Sequence, residues 1–341
     1  MKTILVTGGA GFIGSNFVRY LYQKYPEYRI LVLDVLSYAG SVHNLPEGSF
    51  GSDRFEFWYG NVRNAEMVDT LMSQSSIVVH FAAESHVTRS IYDNLQFFET
   101  DVMGTQVIAN SVLKHRSNIE RFVHISTSEV YGTALTPQMA EEHPLNPMSP
   151  YASAKCGADR LVYSYWQTYK IPAIIVRPFN NYGPYQHLEK LVPRMITSCI
   201  LGEPMTVHGD GSAARDWLFV EDHCEALDQL LHKDLDQVKG QVLNLGSEQH
   251  ISVLEVAQLV RDLMKSKSPI EYRGDRPGQV FRHTADASKV RNLLGWQPKI
   301  KFRDGLMKTI DWYQTHMDWW QPQRWMRHIP IVTESNKKEF H

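Results

Sequence analysis

The sequence predicts an α/β fold, a doubly wound parallel sheet with a smaller C-terminal lobe. Short apolar, β-branched segments alternate with longer helical patterns through the first half of the 341-residue chain. A glycine-rich turn follows the first apolar segment, and the alternation stops after Arg177. Strands regularly separated by helices indicate βαβ units, whose right-handed crossovers place all strand C-terminal ends at one edge of the sheet.

The alternating part of the chain divides into strands and helices of ordinary length. The predicted strands are residues 3–7, 29–33, 55–59, 77–81, 121–125 and 173–177. The predicted helices between them are residues 13–25, 65–73, 94–114 and 150–169, and a loop rich in Gly and Ser spans residues 37–52. Shorter helices are predicted at residues 191–201, 220–231, 253–264 and 287–294, between turns rich in Gly, Pro and Asn. This change of pattern predicts a second lobe.

The composition is that of an ordinary globular protein, with 43% hydrophobic and 21% charged residues and a formal net charge of −2. Without a basic field, we expect neither a nucleic acid nor an anionic membrane as a partner. No apolar segment reaches the roughly 18 residues that span a bilayer, and the N-terminus lacks the features of a signal peptide. We therefore expect neither a membrane segment nor secretion.

The cysteine and histidine residues give no indication of a metal site. Cys156, Cys199 and Cys224 are scattered along the chain and form no CxxC pair, which is typical of reduced thiols in a cytoplasmic protein. The histidines are not grouped with carboxylates at metal-ligand spacing, so no metal is expected.

A glycine-rich turn joins the first predicted strand to the first predicted helix. Gly8, Gly11 and Gly14 stand where a tight turn, the close approach of a pyrophosphate and close helix–strand packing each require a residue without a side chain. The helix N-terminus offers unpaired N–H groups to phosphate oxygens. With a strand before it and a helix after it, this turn predicts a Rossmann-like dinucleotide site.

An acidic residue stands where such a site needs one. Asp34 follows the second predicted strand, about twenty residues past Gly14. A carboxylate there accepts hydrogen bonds from the adenosine ribose hydroxyls and repels a 2′-phosphate, so NAD is expected rather than NADP. Residues 1–178 are then the NAD-binding domain, with residues 215–245 crossing back to it. Residues 179–330 form mainly the second lobe, and residues 331–341 form a tail.

A second motif carries the groups needed for hydride chemistry. Tyr151 and Lys155 are four residues apart on a predicted helix and so share one face. A lysine near a phenol favours the phenolate, which takes a proton from a sugar hydroxyl while the carbon gives up hydride. Ser126 and Thr127 end the preceding strand, where a hydroxyl group can hydrogen-bond the same oxygen.

These motifs together resemble the extended short-chain dehydrogenase/reductase family. In chain order they are the TGGAGFIG turn, Phe81-Ala82-Ala83, Ser126-Thr127, the YASAK segment at Tyr151 and RPFNNYGP from Arg177, and the matching pieces reach at least residue 222. The resemblance implies an NAD site lined by Gly8, Gly11, Phe12, Ile13, Gly14, Asp34, Asn61, Val62, Ala82, Ala83, Tyr151 and Lys155.

Within that family the chain is most similar to the NDP-hexose 4,6-dehydratases of the dTDP-glucose type. The similarity lies in STSEVYG around Glu129, in Glu189-Lys190-Leu191 and in Arg215-Asp216-Trp217. It implies an NAD-dependent lyase of deoxysugar biosynthesis that serves cell-surface polysaccharides. In this reaction C4 is oxidised, Glu129 removes the C5 proton, the C6 hydroxyl leaves as water and the hydride returns to C6. The product is an NDP-4-keto-6-deoxyhexose.

Ser128 departs from that pattern, because the dTDP-glucose enzymes have an aspartate there as general acid. A hydroxyl is a poor proton donor by comparison. The GDP-mannose 4,6-dehydratases also carry a hydroxyl residue at this position, and in that pattern the protonated Glu129 itself protonates the leaving hydroxyl. UDP-glucuronate decarboxylases carry a Ser-Glu pair, so a nucleotide-sugar decarboxylase or 4-epimerase remains an alternative. A non-catalytic NAD sensor or scaffold is disfavoured, because Tyr151 and Lys155 are intact.

The nucleotide-sugar contacts implied by the resemblance lie mainly in the second lobe. Lys190 and Arg215 are expected to neutralise the pyrophosphate, Asn180 to bind the sugar or its phosphate, and Arg276 and His283 to close over the nucleotide. The full set is Ser85, Asn180, Asn181, Glu189, Lys190, Leu191, Arg215, Asn244, Arg276 and His283.

Two smaller departures leave the substrate open. Asn61-Val62 replaces the aspartate usual at the adenine edge, and Gln279-Val280 replaces a His-Asp pair. The candidate substrates are therefore dTDP-glucose, UDP-glucose, UDP-N-acetylglucosamine or another nucleotide-linked hexose.

The resemblance also implies a homodimer, since relatives pack two long helices from each subunit against each other. The helices predicted at residues 94–114 and 150–169 are the candidates. Trp319, Trp320 and Trp325 predict that the C-terminal segment packs on the body of the protein.

Overall fold

The computed structural model describes residues 2–274, 278, 280–332 and 338–340. Its strands are, in chain order, β1 (Thr3–Thr7), β2 (Arg29–Asp34), β3 (Phe55–Tyr59), β4 (Ile77–His80), β5 (Arg121–Ile125), β6 (Ala173–Pro178), β7 (Asn180–Tyr182), β8 (Met205–His208), β9 (Ala214–Arg215), β10 (Trp217–Phe219), β11 (Val242–Leu245), β12 (Ile251–Ser252), β13 (Ile270–Arg273), β14 (Arg282–His283), β15 (Pro330–Val332) and β16 (Lys338–Phe340).

The α-helices are α1 (Phe12–Lys24), α2 (Ala65–Ser73), α3 (Val87–Tyr92), α4 (Leu95–Phe97), α5 (Thr105–Lys114), α6 (Pro150–Tyr169), α7 (Leu191–Leu201), α8 (Val220–His232), α9 (Leu235–Val238), α10 (Val253–Leu263), α11 (Ser288–Leu294), α12 (Phe302–Thr315) and α13 (Met317–Trp320). Short 3₁₀ turns occur at Val42–Asn44, Ser128–Tyr131 and Gln321–Met326, and a π-helical segment at Phe98–Gly104.

Seven parallel strands form the central sheet, in the order β11-β6-β5-β4-β1-β2-β3. Strand β1 pairs with β2 on one side and with β4 on the other, so the strand order reverses between β1 and β4. In open α/β sheets, ligands bind beyond the carboxyl ends of the strands at such a switch point. The predicted α/β class is confirmed, and the six predicted strands agree with β1 to β6 within one residue at each end.

Apolar side chains cover both faces of this sheet and hold the helices against it. Phe17 and Leu21 of α1 meet Leu227 of α8 on one face. Val68 of α2 and Ile108 of α5 pack on the other face, together with residues of α6. All are almost completely buried, and burial of a side chain of this size stabilises the fold by roughly 1.5–3 kcal/mol. Because both faces are covered, the strands are apolar throughout rather than alternating.

A second core forms the smaller lobe. Helices α7, α10 and α12 surround a cluster of aromatic and aliphatic residues that includes Met195, Val256, Leu306 and Tyr313. The chain returns to the central sheet after this lobe begins, because β11 pairs with β6 and α8 packs against α1.

The aromatic residues of the C-terminal segment are placed in different ways. Trp320 is fully buried, and the indole N–H of Trp319 donates to Asn44 Oδ1 at 2.8 Å. Trp325 is 77% exposed, so Trp319 and Trp320, and not Trp325, pack this segment on the body. Trp325 lies in a short 3₁₀ turn beyond the last helix, where the chain presents it to solvent.

The long helix predicted at residues 94–114 is interrupted by the π-helical segment Phe98–Gly104, between α4 and α5. Such segments are rare and are often found near functional sites. Helices α3 and α12 and the short strands of the second lobe were not predicted. Those strands have two to four residues each, which is too short for an apolar repeat to be recognised.

Across the described parts of the chain, no helix has both the length and the apolar character needed to cross a bilayer. The same residues contain no group of three or more His, Cys, Asp or Glu side chains arranged to hold a metal ion.

Candidate active site

A cavity of about 420 Å³ opens at the carboxyl edge of the sheet. Its walls come from the turn after β1, the ends of β2, β4 and β5, the start of α6 and the segment between β6 and α7. Every residue predicted to be catalytic or to bind the cofactor lies on its wall. Of the predicted substrate-binding residues, those on the wall are Ser85, Asn180, Asn181, Glu189, Lys190, Leu191 and Arg215.

The glycine turn at one end of the cavity has the shape of a phosphate cradle. Gly8 has φ = +69°, and a Cβ on it would lie 2.5 Å from the Ala82 nitrogen. A Cβ on Gly14 would lie 2.2 Å from the Gly8 oxygen, so α1 can approach the turn only with glycine there. A Cβ on Gly11 would approach only the Gly8 oxygen, at 3.4 Å, and would otherwise occupy the cavity. The turn therefore fits a dinucleotide pyrophosphate at Gly11 and the N-terminus of α1.

Asp34 is fixed beside this turn by main-chain groups. Its Oδ2 accepts a hydrogen bond from the Ala10 N–H at 2.9 Å, and its Oδ1 accepts one from the Leu36 N–H at 2.8 Å. Burial raises the pKa of Asp34, and these hydrogen bonds act in the opposite direction. The main chain at Val35 and Gly11 contributes further hydrogen bonds, so the carboxylate is held in a fixed position on the cavity wall.

Tyr151 and Lys155 reach the middle of the cavity from the first turns of α6. This helix begins where it does because the Ser149 side chain caps it, accepting from the Ala152 N–H at 3.1 Å, and because Pro150 suits its first position. The Lys155 ammonium donates to the Ile125 carbonyl oxygen at 2.7 Å. Helix α6 is thereby tied to the end of β5, which carries the Ser126-Thr127 pair.

The protonation of Tyr151 differs from the sequence-based expectation. Burial raises the pKa of Tyr151 well above its ordinary value, a hydrogen bond with Thr127 acts against this, and the charges of Asp101 and Glu129 raise it further. Burial also lowers the pKa of Lys155, although Asp101 raises it. The low-dielectric wall of the cavity therefore opposes the phenolate, and the Thr127 hydrogen bond favours it.

Glu129 and Ser128 lie on a short 3₁₀ turn directly beyond β5. The Glu129 N–H donates to Thr127 Oγ1 at 3.2 Å, so Thr127 caps the turn on which the carboxylate sits. The Ser128 residue is buried, whereas 19% of the Glu129 side chain is exposed. The capped turn places a carboxylate beside the Thr127 and Tyr151 hydroxyls on the wall of one cavity.

Cationic side chains line the other end of the cavity. They include Lys190, Arg194 and Arg215, and Lys190 Nζ donates to the Ser85 carbonyl oxygen at 2.6 Å. Glu189 faces them with a buried carboxylate that accepts from Arg89 Nε at 2.8 Å. Positive charge near buried polar groups suits a ligand with a diphosphate.

The structure places two of the predicted substrate-binding residues away from the cavity wall. Asn244 is buried, accepts from the Tyr131 hydroxyl at 2.7 Å and donates to the Met139 carbonyl at 2.9 Å. Its amide is used to join β11 to neighbouring loops, because a buried amide must find partners. His283 lies behind Ser128 and is hydrogen-bonded to its main-chain carbonyl. The prediction for Arg276 lies outside the described residues.

Several residues of the cavity wall were missed by the sequence reasoning. Arg194 and His187 line the second lobe's side, Thr206 and His208 come from β8, and Glu84 follows β4. A signal for Arg194 existed, since it lies four residues after Lys190 and so continues the same helical face. No local sequence pattern pointed to the β8 residues, because that strand reaches the cavity only through tertiary packing.

Comparison with known proteins agrees with this geometry. The GDP-mannose 4,6-dehydratase family profile matches residues 5–309. The low-salt glycan biosynthesis protein Agl12 of Haloferax volcanii is 44% identical over 312 residues, covering 91% of this chain and 98% of that protein. A dTDP-glucose 4,6-dehydratase of Streptomyces niveus is 40% identical over 325 residues, with coverage of 94% and 95%.

A solved structure extends the comparison to three dimensions. DesIV, a dTDP-glucose 4,6-dehydratase from Streptomyces venezuelae with NAD and TYD bound, has a TM-score of 0.88 at 38% identity, with coverage of 94% of this chain and 99% of DesIV. The resemblance found in the motifs and the expected cofactor, NAD, are thus confirmed at the level of the family, as is the expected class of enzyme, an NAD-dependent lyase. The chain belongs to the GDP-mannose 4,6-dehydratase family.

Proposed function

We propose that the protein is a nucleotide-sugar 4,6-dehydratase, which converts an NDP-hexose into an NDP-4-keto-6-deoxyhexose and water. The observation that carries this proposal is the position of Glu129. Its carboxylate lies on the wall of the same cavity as Tyr151 and Lys155, on a turn capped by Thr127. A dehydrogenase needs only the hydroxyl and ammonium groups, whereas an elimination also needs a base for the C5 proton.

The residues of the glycine turn and Asp34 hold the cofactor in this proposal. Gly11 leaves room for the pyrophosphate, and Asp34 accepts hydrogen bonds from the adenosine ribose. Bound NAD supplies the hydride acceptor at sugar C4 and later the hydride donor at C6. Because the reaction restores its oxidised form, the cofactor need not leave between turnovers.

Tyr151 takes the proton of the C4 hydroxyl in the oxidation. The phenol must first release its own proton to solvent, and the phenolate then takes the C4 hydroxyl proton and becomes the phenol again as hydride leaves C4. Thr127 stabilises the developing negative charge by hydrogen bonding, and the Lys155 ammonium lies on the same face of α6. These three groups account for the first half-reaction.

Glu129 removes the C5 proton once C4 is a ketone, because the electron pair of the C–H bond then delocalises into the carbonyl. The same proton is passed to the C6 oxygen, which leaves as water. Ser128 has no acidic proton to offer, so one carboxyl group serves as base and then as acid. These steps need Glu129 to hold the proton taken from C5 until the C6–O bond breaks.

The diphosphate of the substrate is bound by the cationic end of the cavity in this proposal. Arg215 and Arg194 are both almost fully buried, and a buried guanidinium forms strong paired hydrogen bonds with phosphate oxygens. Lys190 adds a third positive charge at the Ser85 carbonyl. Since the relatives from Streptomyces niveus and Streptomyces venezuelae are dTDP-glucose 4,6-dehydratases, we propose a hexose linked to thymidine diphosphate, or to the similar uridine diphosphate, as the substrate.

A panel of substrates tests the reaction. The purified protein would be incubated with dTDP-glucose, UDP-glucose, UDP-N-acetylglucosamine, GDP-mannose and UDP-glucuronate, and the products would be weighed by mass spectrometry. Loss of one water from a hexose substrate is the expected result. Loss of carbon dioxide from UDP-glucuronate alone would show a decarboxylase instead, and an isomer of unchanged mass would show a 4-epimerase.

The role of Glu129 is tested by Glu129→Gln. Elimination should fall about 100-fold or more, while transient C4 oxidation, followed by nicotinamide absorbance, persists. Glu142→Gln removes an exposed carboxylate elsewhere and is the matched control. Full turnover by Glu129→Gln would contradict the proposal.

We also propose that the protein forms a homodimer. Helix α4 and the adjoining π-helical segment expose Leu95 to 64%, Phe98 to 42% and Met103 to 51%, and apolar side chains exposed together on one segment are typical of a protein interface. The substitution Leu95→Glu should shift the mass measured by light scattering from dimer to monomer. A monomeric wild-type protein would refute this part of the proposal.

We also propose that the protein works in the reducing cytoplasm, since its three cysteines are scattered along the chain and form no CxxC pair.

A further inference from the structure

His283 lies directly behind the 3₁₀ turn Ser128–Tyr131, which carries Glu129. Its strand, β14, contributes no residue to the cavity wall. Strand β14 pairs with β9 so that His283 is the neighbour of Arg215. The imidazole is fully buried, with its ring centroid 5.1 Å from that of Phe179. Its Nε2 lies 2.9 Å from the Ser128 carbonyl oxygen, and its Nδ1 lies 3.9 Å from Glu129 Oε1.

The hydrogen bond to Ser128 determines where the ring carries its proton. A carbonyl oxygen only accepts, so Nε2 must be the protonated nitrogen. Burial lowers the pKa of His283 to about 4, with Glu129 acting to raise it and Arg215 and His143 to lower it. The ring is therefore neutral near pH 7, and Nδ1 presents a lone pair on the side of Glu129.

This lone pair has no hydrogen-bond partner among the described residues. While Glu129 is a carboxylate, both groups are acceptors and no hydrogen bond forms between them, in agreement with their separation of 3.9 Å. Once Glu129 carries a proton, it becomes a donor and Nδ1 is the nearby acceptor. A hydrogen bond that forms only with the neutral acid stabilises that acid.

We propose that His283 is a positioning residue that holds Glu129 in both of its protonation states. The Nε2–H fixes the turn through the Ser128 carbonyl, and Nδ1 accepts the O–H of protonated Glu129. This inference rests on the proposed dehydration. The proton moves from C5 to the carboxylate and then to the departing C6 oxygen, while the C–H electron pair enters the C4 carbonyl. His283 gives and receives hydrogen bonds only.

The serine at position 128 explains why such an acceptor matters in this chain. Ser128 supplies no acid for the leaving hydroxyl, so the proton taken from C5 must stay on Glu129 until C6–O cleavage. An acceptor at Nδ1 prolongs that state and orients its O–H. Among the described residues, the charged and titratable groups that interact with Glu129 include His283 from β14, Arg215 from β9 and Tyr151 from α6.

Two substitutions separate the two nitrogens. His283→Gln keeps a donor at the Nε2 position and loses the acceptor at Nδ1, whereas His283→Asn keeps a polar atom near Nδ1 and loses the donor to Ser128. Single-turnover kinetics would resolve C4 oxidation, from nicotinamide absorbance, and elimination, from loss of water. We expect His283→Gln to slow elimination about tenfold with C4 oxidation changed less than twofold.

The pH dependence of the elimination rate distinguishes this role of His283 from a purely structural one, which would leave that dependence unchanged. The acidic limb of the elimination rate should shift to lower pH by about one unit in His283→Gln, and by less in His283→Asn. Equal slowing of both phases, or an unmoved limb in His283→Gln, would overturn the inference.

Failure of the proposed function would look different, because the wild-type protein itself would then release no water from any substrate. In that case the contact is still testable by ¹³C NMR titration of labelled glutamate, assigned with Glu129→Gln. The Glu129 carboxyl should titrate at lower pH in His283→Gln than in wild type. An unchanged midpoint would refute the contact without reference to turnover.

Discussion

Arg177 and Asp159 form a buried, bidentate ion pair beneath the candidate active site. Arg177 Nε donates to Asp159 Oδ2 and a terminal nitrogen donates to Oδ1, both at 2.9 Å. The other terminal nitrogen donates to the Tyr131 hydroxyl at 2.9 Å. Asp159 belongs to α6, Arg177 to β6 and Tyr131 to the 3₁₀ turn Ser128–Tyr131. This one guanidinium therefore joins β6 to the two elements that carry Tyr151, Lys155 and Glu129.

Removing one partner of this pair should destabilise the protein strongly. Asp159→Ala leaves the Arg177 guanidinium buried without its counter-charge, which typically costs about 3–5 kcal/mol. Urea unfolding monitored by circular dichroism would measure it. Glu120→Gln breaks the exposed ion pair with Lys2 and serves as the control, with an expected change of about 1 kcal/mol or less. A loss for Asp159→Ala no larger than that of the control would contradict the prediction.

The glycine turn allows stability and cofactor binding to be tested apart. Gly14→Ala places a Cβ 2.2 Å from the Gly8 oxygen, which should cost about 1–3 kcal/mol of stability and weaken NAD binding. Gly11→Ala meets only one atom, at 3.4 Å, so it should cost about 1 kcal/mol or less while lowering NAD affinity at least tenfold. Thermal melting and calorimetric titration with NAD measure the two effects. Unchanged NAD affinity in Gly11→Ala would place the pyrophosphate elsewhere.

Asp34 should set the preference for NAD over NADP. In Asp34→Asn the shape is kept, but the negative charge that repels a 2′-phosphate is lost. The ratio of NADP to NAD dissociation constants should therefore fall about tenfold or more. Asp53→Asn, in a surface loop beyond Gly51, is the matched control and should leave the ratio unchanged. Equal ratios in wild type and Asp34→Asn would exclude Asp34 as the ribose ligand.

The sequence predicted the central sheet well because its signals are local. A buried parallel strand is a continuous apolar segment, and the turn from Gly8 to Gly14 needs glycine for steric reasons that the structure repeats. Tyr151 and Lys155 were found for the same reason, since their spacing alone puts them on one helical face. In each case, the residues that predict the feature are close neighbours in the sequence.

The residues that were misplaced or missed depend on distant parts of the chain. His283 was expected to close over the nucleotide, but the pairing of β14 with β9 turns it toward Ser128, 155 residues away. Asn244 is used by Tyr131 and Met139, more than 100 residues before it. The π-helical segment that carries Asp101 has no apolar period of its own. Such contacts are set by tertiary packing, which no spacing in the sequence records.

His223 provides a test of how burial couples stability to pH. Its Nδ1 donates to Asn181 Oδ1 at 2.9 Å, and burial lowers the pKa of His223 to about 3. An unfolded histidine binds a proton below about pH 6.5, whereas the folded one does not until far lower pH. The stability that this group contributes is therefore complete above about pH 6.5 and is lost as the pH falls toward 3.

Between pH 7 and pH 5, the wild-type protein should lose about 2 kcal/mol more unfolding free energy than His223→Asn. The asparagine still donates to Asn181 but has no proton to gain, so the comparison isolates this one titration from those of other buried groups. Urea unfolding at several pH values would measure it. His43→Asn removes an exposed histidine and is the control. Its free energy of unfolding should depend on pH in the same way as that of the wild type. If His223→Asn also showed the wild-type pH dependence, the buried imidazole would not be excluding its proton in the folded state.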